Sequence, residues 1–245
     1  MNLIFPIVKI RPLQALRSPK VQVTYIPNAK SIEQAKHSLK SFLDHGYDAE
    51  LNLGITPNTL DESEFPFSDM DKGRISSFKI NEPRKYPIKK SCLFNNLRFA
   101  RRVLESNESM IFAEHDAVCI GAWGDWDFED FLFLSFDYAF KPPTGLNIRQ
   151  CRNYKLPTTK GVLDFPTNYP LKYYKDTIYK GCIMTPGTAA YALSPSGARK
   201  LLNAAETHGL EQSDMIINTY NMRLQYVHPS PCKYSTINLN TSHGT

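Results

Sequence analysis

Residues 110 to 116 read Met-Ile-Phe-Ala-Glu-His-Asp, an apolar run that stops abruptly at charged side chains. Such a run predicts a buried strand that leaves the core at its carboxyl end. In open α/β sheets, ligands bind at this end of the strands. Alternate side chains of an extended segment share a face, so we expect Glu114 and Asp116 to point together and His115 to point away. Two convergent carboxylates favour a hard divalent cation such as Mn²⁺ or Mg²⁺.

The same acidic letters are also compatible with a solvated turn after a strand, which is the commoner explanation for an isolated Glu-x-Asp. A second acidic motif, Asp125-Trp126-Asp127, follows Gly124 rather than an apolar strand. We interpret that second motif as a surface loop. The acidic pair at the strand end is therefore the primary candidate site.

The segments before this strand predict an α/β fold. Residues 21–26 (VQVTYI) are rich in β-forming side chains and end at the turn signal Pro27-Asn28. A helix with apolar residues at helical spacing follows, with Ser31 as its expected N-cap. A second apolar stretch covers residues 49–55. A strand, a helix and a strand in this order predict a mainly parallel central sheet flanked by helices.

The whole chain of 245 residues is predicted to form one domain. Residues 56–90 are rich in Pro, Ser, Asp and Lys and are predicted to be irregular, and residues 235–245 form a polar tail. The other expected elements are a helix at 93–104, strands at 131–136 and 189–193, a helix that opens at Ser194-Pro195 and closes at Gly209, and a helix at 211–220.

Composition narrows the class of protein. Hydrophobic residues make up 42% and charged residues 22%, as in ordinary globular proteins. The net charge of +5 is compatible with a phosphate-bearing ligand but does not require one. The five cysteines are scattered without a CxxC pair, which argues against a disulfide framework and against a zinc site.

The amino-terminal segment does not read as a membrane span or a secretory signal. Residues 1–10 are apolar but are interrupted by Pro6, and they lack a basic leader and a small-residue cleavage site. We therefore expect no transmembrane segment. The expected location is the cytoplasm, of a bacterial cell or of an infected host.

Three further segments carry a family resemblance. Residues 190–202 read Ala-Tyr-Ala-Leu-Ser-Pro-Ser-Gly-Ala-Arg-Lys-Leu-Leu, residues 212–214 read Gln-Ser-Asp, and a helical pattern covers Cys92 to Val103. Together with the acidic strand end, these segments resemble glycosyltransferase family 25, the lipooligosaccharide and collagen galactosyltransferases with GT-A folds. The resemblance extends in patches over roughly residues 20–235.

The resemblance implies an inverting, manganese- or magnesium-dependent transferase that uses a nucleotide-sugar donor, most simply a UDP-sugar. It implies that Asp214 is the catalytic base, although an acid in the first turn of a helix is also stabilised by the helix dipole. The implied donor-binding residues are Pro27, Asn28, Glu114, Asp116 and Tyr191. The implied metal ligands are Glu114, Asp116 and His228, with His243 as the alternative to His228.

The sequence also departs from the family pattern. His115 replaces the middle acid of the acidic triplet, and Asn95-Asn96 stands where the family has Ser-His. No Arg occurs in the helix after the first strand. These departures predict a distant member that differs in its acceptor and in its contacts to the donor base, rather than in its reaction.

Other polar and aromatic clusters have two interpretations each. Arg98, Arg101 and Arg102 could face phosphates, but a solvated helix face is the simpler interpretation. Aromatic side chains at positions 173, 174 and 179 could stack on sugar or base rings, and packing explains them equally well.

Four hypotheses about function follow. The first is a hexosyl- or pentosyltransferase acting on a saccharide or glycolipid acceptor. The second keeps this chemistry but uses a hydroxylated base of modified viral DNA as acceptor, which requires base flipping. The third is a non-catalytic relative that binds a sugar or a protein, and the fourth, a nuclease or phosphatase, has less support.

Overall fold

The protein is described by a computed structural model that covers residues 18–66, 71–124, 126–139, 155 and 157–235. The strands are β1 (Lys20–Tyr25), β2 (Ala49–Leu53), β3 (Met110–Glu114), β4 (Ala117–Cys119), β5 (Phe131–Phe133), β6 (Gly161–Asp164), β7 (Ala190–Leu193), β8 (Leu224–His228) and β9 (Cys232–Tyr234). The α-helices are α1 (Ala29–Asp44), α2 (Gly73–Asn81), α3 (Tyr86–Ser106), α4 (Phe136–Ala139), α5 (Pro195–His208) and α6 (Ser213–Ile216), and a 3₁₀ turn covers Glu62–Glu64.

Seven strands form one sheet in the order β2-β1-β3-β7-β5-β8-β6. The pairings give β1, β2, β3, β5 and β8 one direction, and β6 and β7 the opposite one. Strands β4 and β9 form a separate antiparallel pair. The predicted α/β fold with a mainly parallel central sheet flanked by helices is therefore confirmed.

The first four residues of strand β3 are apolar because both faces of the strand are covered there. Met110 and Phe112 pack into the larger apolar cluster, which includes side chains of α3 and α5. Ile111 and Ala113 face the other way and pack into a second cluster, which includes side chains of α1. The period of two along a strand thus separates the two layers of helices.

Helix α1 begins three residues earlier than predicted. Its N-cap is Asn28, whose Oδ1 accepts a hydrogen bond from the amide of Ser31 at 2.8 Å. Ser31, the predicted N-cap, lies inside the helix, and its hydroxyl accepts a hydrogen bond from the amide of Ile26 at 3.0 Å. The exchange of hydrogen bonds between side chain and backbone fixes the turn at the end of β1.

The prediction that residues 56–90 are irregular is wrong in part, because α2 and the beginning of α3 lie within this range. The amide groups that open α2 are bound by a carboxylate from far along the chain. Glu211 accepts hydrogen bonds from the amides of Arg74 at 2.9 Å and of Ile75 at 3.2 Å. A cap supplied by tertiary structure leaves no local signal in the sequence.

The predicted helix at 211–220 is much shorter than expected, since α6 ends at Ile216. The side chain of Asn218 binds the chain on both sides, donating to the carbonyl of Met215 at 2.7 Å and accepting from the amide of Tyr220 at 2.9 Å. A short amide side chain that competes for backbone groups in this way favours a turn over a helix.

Helix α5 confirms the predicted start and stop. The hydroxyl of Ser194 caps the helix by accepting a hydrogen bond from the amide of Gly197 at 3.0 Å. A Cβ atom at position 197 would lie 2.2 Å from the carbonyl oxygen of Asp130, so the close approach of these two segments requires glycine. Within the described ranges, no helix is both long and apolar enough to cross a membrane.

Candidate active site

A cleft opens where β1, β2 and β3 end, at the carboxyl edge of the sheet that the sequence indicated. It encloses about 150 Å³, less than the roughly 300 Å³ or more of typical small-molecule pockets, so it has room for one ring system rather than a whole nucleotide sugar. Most of its lining is apolar. The side chains that contribute are those of Tyr25, Ile26, Ile55, Pro57, Ile88 and Phe112, with Cys92, Asn95, Asn96, Glu114 and His115 among the polar ones.

Glu114 is the last residue of β3 and lies at the cleft. Its Oε1 accepts a hydrogen bond from the hydroxyl of Thr188 at 2.9 Å. Burial, followed by the negative charge of Asp116, raises the pKa of Glu114 to about 7. A carboxyl group with such a pKa is poised between its two protonation states at neutral pH, which is common for groups in functional sites.

Asp116 and His115 lie in the turn after β3. The strand ends at Glu114, so the side chains that follow no longer alternate between two faces. His115 lines the cleft, contrary to the prediction that it points away. The Oδ1 atom of Asp116 is buried and has no hydrogen-bond partner in the part of the chain that the structure describes. Burial raises the pKa of this carboxyl group above its ordinary value.

Asp214 belongs to α6, far from β3 in sequence, and its Oδ1 accepts a hydrogen bond from Nε2 of Gln212 at 2.7 Å. Burial is the main cause that raises the pKa of Asp214, and the positive charge of Lys89 opposes it. The charge of Asp214 in turn contributes to the raised pKa of Glu114. The fold therefore brings the predicted acids Glu114, Asp116 and Asp214 into one electrostatic neighbourhood.

Two residues of this neighbourhood, Lys89 and Thr188, were not identified from the sequence. Lys89, on α3, opposes the rise in pKa of both Glu114 and Asp214, and Thr188 binds Glu114. Lys89 lies in a lysine-rich stretch and Thr188 in a loop before β7, so neither carries a motif that would have distinguished it.

The acidic pair fits a divalent cation in one respect. A buried carboxylate oxygen without a partner, beside a second carboxylate, is the kind of oxygen donor that Mg²⁺ or Mn²⁺ binds. No group of three or more His, Cys, Asp or Glu side chains suited to a metal ion occurs among the described residues. Glu114 and Asp116 would therefore hold a cation together with ligands from the donor or from water.

His228 does not join this pair, so its prediction as the third metal ligand is corrected. Its Nδ1 lies 3.0 Å from both carboxylate oxygens of Asp137. His228 ends β8, which is separated from β3 by β7 and β5 in the sheet. The sequence around an isolated His does not show which strands are neighbours, so this separation could not be predicted. His243, the alternative ligand, lies outside the described residues.

Tyr191 is not exposed to a donor, so the prediction that it binds the donor directly is wrong. Its side chain is fully buried in the core between Phe112 and Phe131, on which its ring stacks. Its hydroxyl donates a hydrogen bond to Oδ1 of Asn96 at 2.7 Å. Because Asn96 lines the cleft, Tyr191 supports the cleft wall from behind.

Replacing Tyr191 with Phe is expected to lower the free energy of unfolding by about 1–3 kcal/mol, because the buried Oδ1 of Asn96 loses its donor. Urea unfolding of the two proteins measures this difference. The control is Tyr174→Phe, since the Tyr174 side chain is 55% exposed. Equal stabilities for Tyr191→Phe and the unmodified protein would contradict the supporting role.

Pro27 and Asn28 follow Ile26, which lines the cleft, but both are exposed, and the Asn28 side chain caps α1. The predicted loop is thus at the cleft, while the residues that line it are Tyr25 and Ile26. The side chain of Asn95, which lines the cleft, holds the backbone of Ile55 with two hydrogen bonds. Its Oδ1 accepts from the backbone amide of Ile55 at 2.7 Å, and its Nδ2 donates to the carbonyl of Ile55 at 3.1 Å.

The three arginines of α3 form ion pairs with carboxylates outside the acidic site. Arg98 and Arg101 pair with Glu64, and Arg102 pairs with Glu50, so the interpretation as a solvated helix face is supported.

Of the three tyrosines, those at 173 and 179 are buried and only that at 174 is exposed. Asp127 is exposed, as a surface loop requires, and Asp125 lies outside the described residues.

Comparison with known proteins gives a weak likeness of fold and no match of sequence. No protein-family model matches this sequence, and no curated protein matches it significantly. Among solved structures, the fold is similar to the apo crystal structure of mouse xyloside xylosyltransferase 1, at 12% sequence identity and a TM-score of 0.39. The match covers 83% of this chain and 81% of that one. Function is therefore inferred from the side chains around the cleft.

Proposed function

We propose that this protein is a glycosyltransferase that moves a sugar from a nucleotide donor to a hydroxyl group of a saccharide acceptor. The observation that carries the proposal is the convergence of Glu114, Asp116 and Asp214 beside an apolar cleft at the carboxyl edge of the sheet. The resemblance of the sequence to glycosyltransferase family 25 supports the proposal, because it implies donor-binding and catalytic roles for the same three acids.

The cleft suits the base of the nucleotide donor. Its apolar walls, formed by the ends of β1 and β2 and by α3, are able to cover the faces of a planar base. Glu114 lines the cleft, so a donor whose base is bound there would have its diphosphate near the acidic residues. Lys89 supplies a positive charge in this region that favours the diphosphate.

Asp214 is the proposed general base. Burial raises its pKa, which makes the carboxylate a better proton acceptor than an exposed aspartate near neutral pH. It would accept the proton of the acceptor hydroxyl as the hydroxyl oxygen forms a bond to the anomeric carbon. The bond between that carbon and the phosphate oxygen breaks in the same step, so the configuration at the anomeric carbon inverts.

Glu114 and Asp116 are the proposed ligands of a divalent cation. When bound, the cation would neutralise charge on the departing nucleoside diphosphate. The chain's own contribution is to place two carboxylates at the point where β3 leaves the core. Burial and then the negative charge of Asp116 raise the pKa of Glu114, and a positive charge between the two carboxylates would favour their ionised forms.

Thermal unfolding with a panel of nucleotide sugars, with Mn²⁺ or with a chelator, tests the donor site. A donor present at about 100 times its dissociation constant is expected to stabilise the protein by roughly 2.7 kcal/mol. We expect one donor to do so with Mn²⁺ and Asp116→Ala to abolish the effect. Asp127→Ala is the matched control, because Asp127 is an exposed acid of the second acidic motif.

The outcomes separate the parts of the proposal. A donor that stabilises the protein equally with chelator would retain the donor site and remove the cation. The absence of stabilisation by every nucleotide sugar would contradict the transferase proposal and would favour a non-catalytic binding protein.

A further inference from the structure

Two buried cysteines face each other across the small sheet of β4 and β9. Cys119 and Cys232 are directly opposite in the antiparallel register. The amide of Ile120 donates to the carbonyl of Pro231 at 2.8 Å, so the hydrogen bonds flank the cysteine pair instead of joining it. In such a pair the Cα atoms lie about 4.5 Å apart, and the side chains are closer than in a hydrogen-bonded pair.

This separation lies within the range of Cα distances that a disulfide spans, about 4.4–6.8 Å. Both cysteines are free thiols in the structure, and both are buried within the same apolar cluster. The scattered spacing of the cysteines in the sequence gave no indication of this pair. Spacing along the chain carries no information about which strands lie next to each other.

The two thiols differ in acidity. The thiol of Cys119 donates a hydrogen bond to the carbonyl of Gly121 at 3.1 Å, and its interaction with Cys232 is the main reason why its pKa is lowered to about 7. Burial raises the pKa of Cys232 well above its ordinary value. Cys119 is therefore the member of the pair that ionises more readily, and a thiolate next to a protonated thiol is the arrangement that oxidation to a disulfide needs.

We propose that Cys119 and Cys232 are a modification site at which a hydroperoxide forms an intrachain disulfide. The Cys119 thiolate attacks one peroxide oxygen, the O–O bond breaks, and a sulfenic acid and hydroxide result. The sulfur of Cys232 then attacks the sulfur of Cys119, and the sulfenic oxygen leaves as water with the Cys232 proton. Two thiols are oxidised, and one molecule of hydrogen peroxide is reduced to two of water.

Hydrogen peroxide reaches the pair through local opening of the small sheet. Strands β4 and β9 have three residues each, and a two-stranded pair of this size is marginally stable. Hydrogen peroxide is little larger than water, so a small opening is sufficient. Larger oxidants such as glutathione disulfide are expected to react more slowly at this site.

The disulfide would fix the segment that covers the acidic site. Beyond Cys232, the amide of Ser235 donates to the carbonyl of Asp116 at 2.7 Å. Tyr234 lies close to the same acids, since its pKa is raised by burial and then by the charges of Glu114 and Asp116. Cross-linking β4 to β9 therefore ties the turn that holds Asp116 to the segment over it.

The test uses the full-length protein treated with hydrogen peroxide, quenched with an alkylating reagent and digested without reductant. Mass spectrometry is expected to find the peptides of Cys119 and Cys232 joined, with two hydrogens lost, and dithiothreitol is expected to separate them. The melting temperature of the oxidised protein should rise, and reductant should reverse the rise. Neither measurement depends on transferase activity.

Variants keep the test decisive. Cys182→Ser is expected to leave the disulfide unchanged, whereas Cys119→Ala and Cys232→Ala each remove both the joined peptides and the rise in melting temperature. Disulfides involving Cys92, or irreversible oxidation of Cys119 without cross-linking, would overturn the proposal. So would recovery of both thiols unmodified under conditions that oxidise Cys92, which is exposed.

Discussion

Replacing Asp214 with Asn is expected to lower the rate of sugar transfer roughly 100- to 10,000-fold, the usual contribution of a positioned general base. Asn has nearly the same shape as Asp and retains an Oδ1 atom that accepts the hydrogen bond from Gln212. It has no carboxylate to accept the acceptor's proton. The initial rate of nucleoside diphosphate release in the presence of a saccharide acceptor measures the effect, with the donor found in the thermal panel.

Donor binding separates catalysis from structure in this experiment. Asp214→Asn should be stabilised by the donor as much as the unmodified protein, because Asp214 is assigned to the acceptor hydroxyl. Asp176→Asn is the matched control, since the Asp176 side chain is 93% exposed, and it should retain the full rate. A variant that transfers sugar at an unchanged rate would remove Asp214 from the mechanism. One that no longer binds the donor would make Asp214 a structural or donor-binding residue.

The elements that sequence predicts well are those whose signals are local. The apolar run at 110–113 is a strand because both faces are buried, and Ser194 opens α5 because its hydroxyl reaches an amide three residues away. The start of α2 depends instead on Glu211, whose position comes from the fold. A sequence pattern reflects only interactions between residues close in the chain. A helix cap supplied by a residue distant in sequence therefore cannot be predicted from it.

The candidate site follows the same division. The acids at 114 and 116 are identified by the strand that ends beside them, and Asp214 only by a family resemblance. His228 was assigned to the wrong partner, because the order of strands places β8 away from β3. Tyr191 belongs to a segment that resembles a known family, yet its hydroxyl donates a hydrogen bond to Asn96 in the core. Motifs identify a segment, but burial decides which of its side chains reach a ligand.

In metal-free buffer the protein is expected to lose stability as the pH rises from 5 to 8, and Glu114→Gln is expected to remove much of this loss. The native pKa of Glu114 is about 7, against an ordinary value of 4.5. The native state therefore holds this proton over a range of pH in which the unfolded state has released it. Stability is fully present below pH 4.5 and declines as the pH passes through 7, by ~3 kcal/mol from this group.

Glu114→Gln isolates this contribution, because Gln keeps an oxygen that accepts the Thr188 hydrogen bond but carries no charge. At pH 8 we expect the variant to exceed the unmodified protein in free energy of unfolding by about 2–3 kcal/mol, and at pH 4.5 the two should be similar. Urea unfolding across this range measures both curves. Glu108→Gln, at an exposed position, should follow the unmodified protein throughout.

A cation held between the two carboxylates should reverse the effect. Mn²⁺ at pH 8 is expected to stabilise the unmodified protein, because a positive charge favours the ionised forms of Glu114 and Asp116. It should stabilise Glu114→Gln much less. Parallel pH curves for Glu114→Gln and the unmodified protein would show that Glu114 ionises in the native state as it does in the unfolded chain. The carboxylate would then be solvated. The charge of Asp116 would not destabilise it, and a cation between the two acids would have little to compensate.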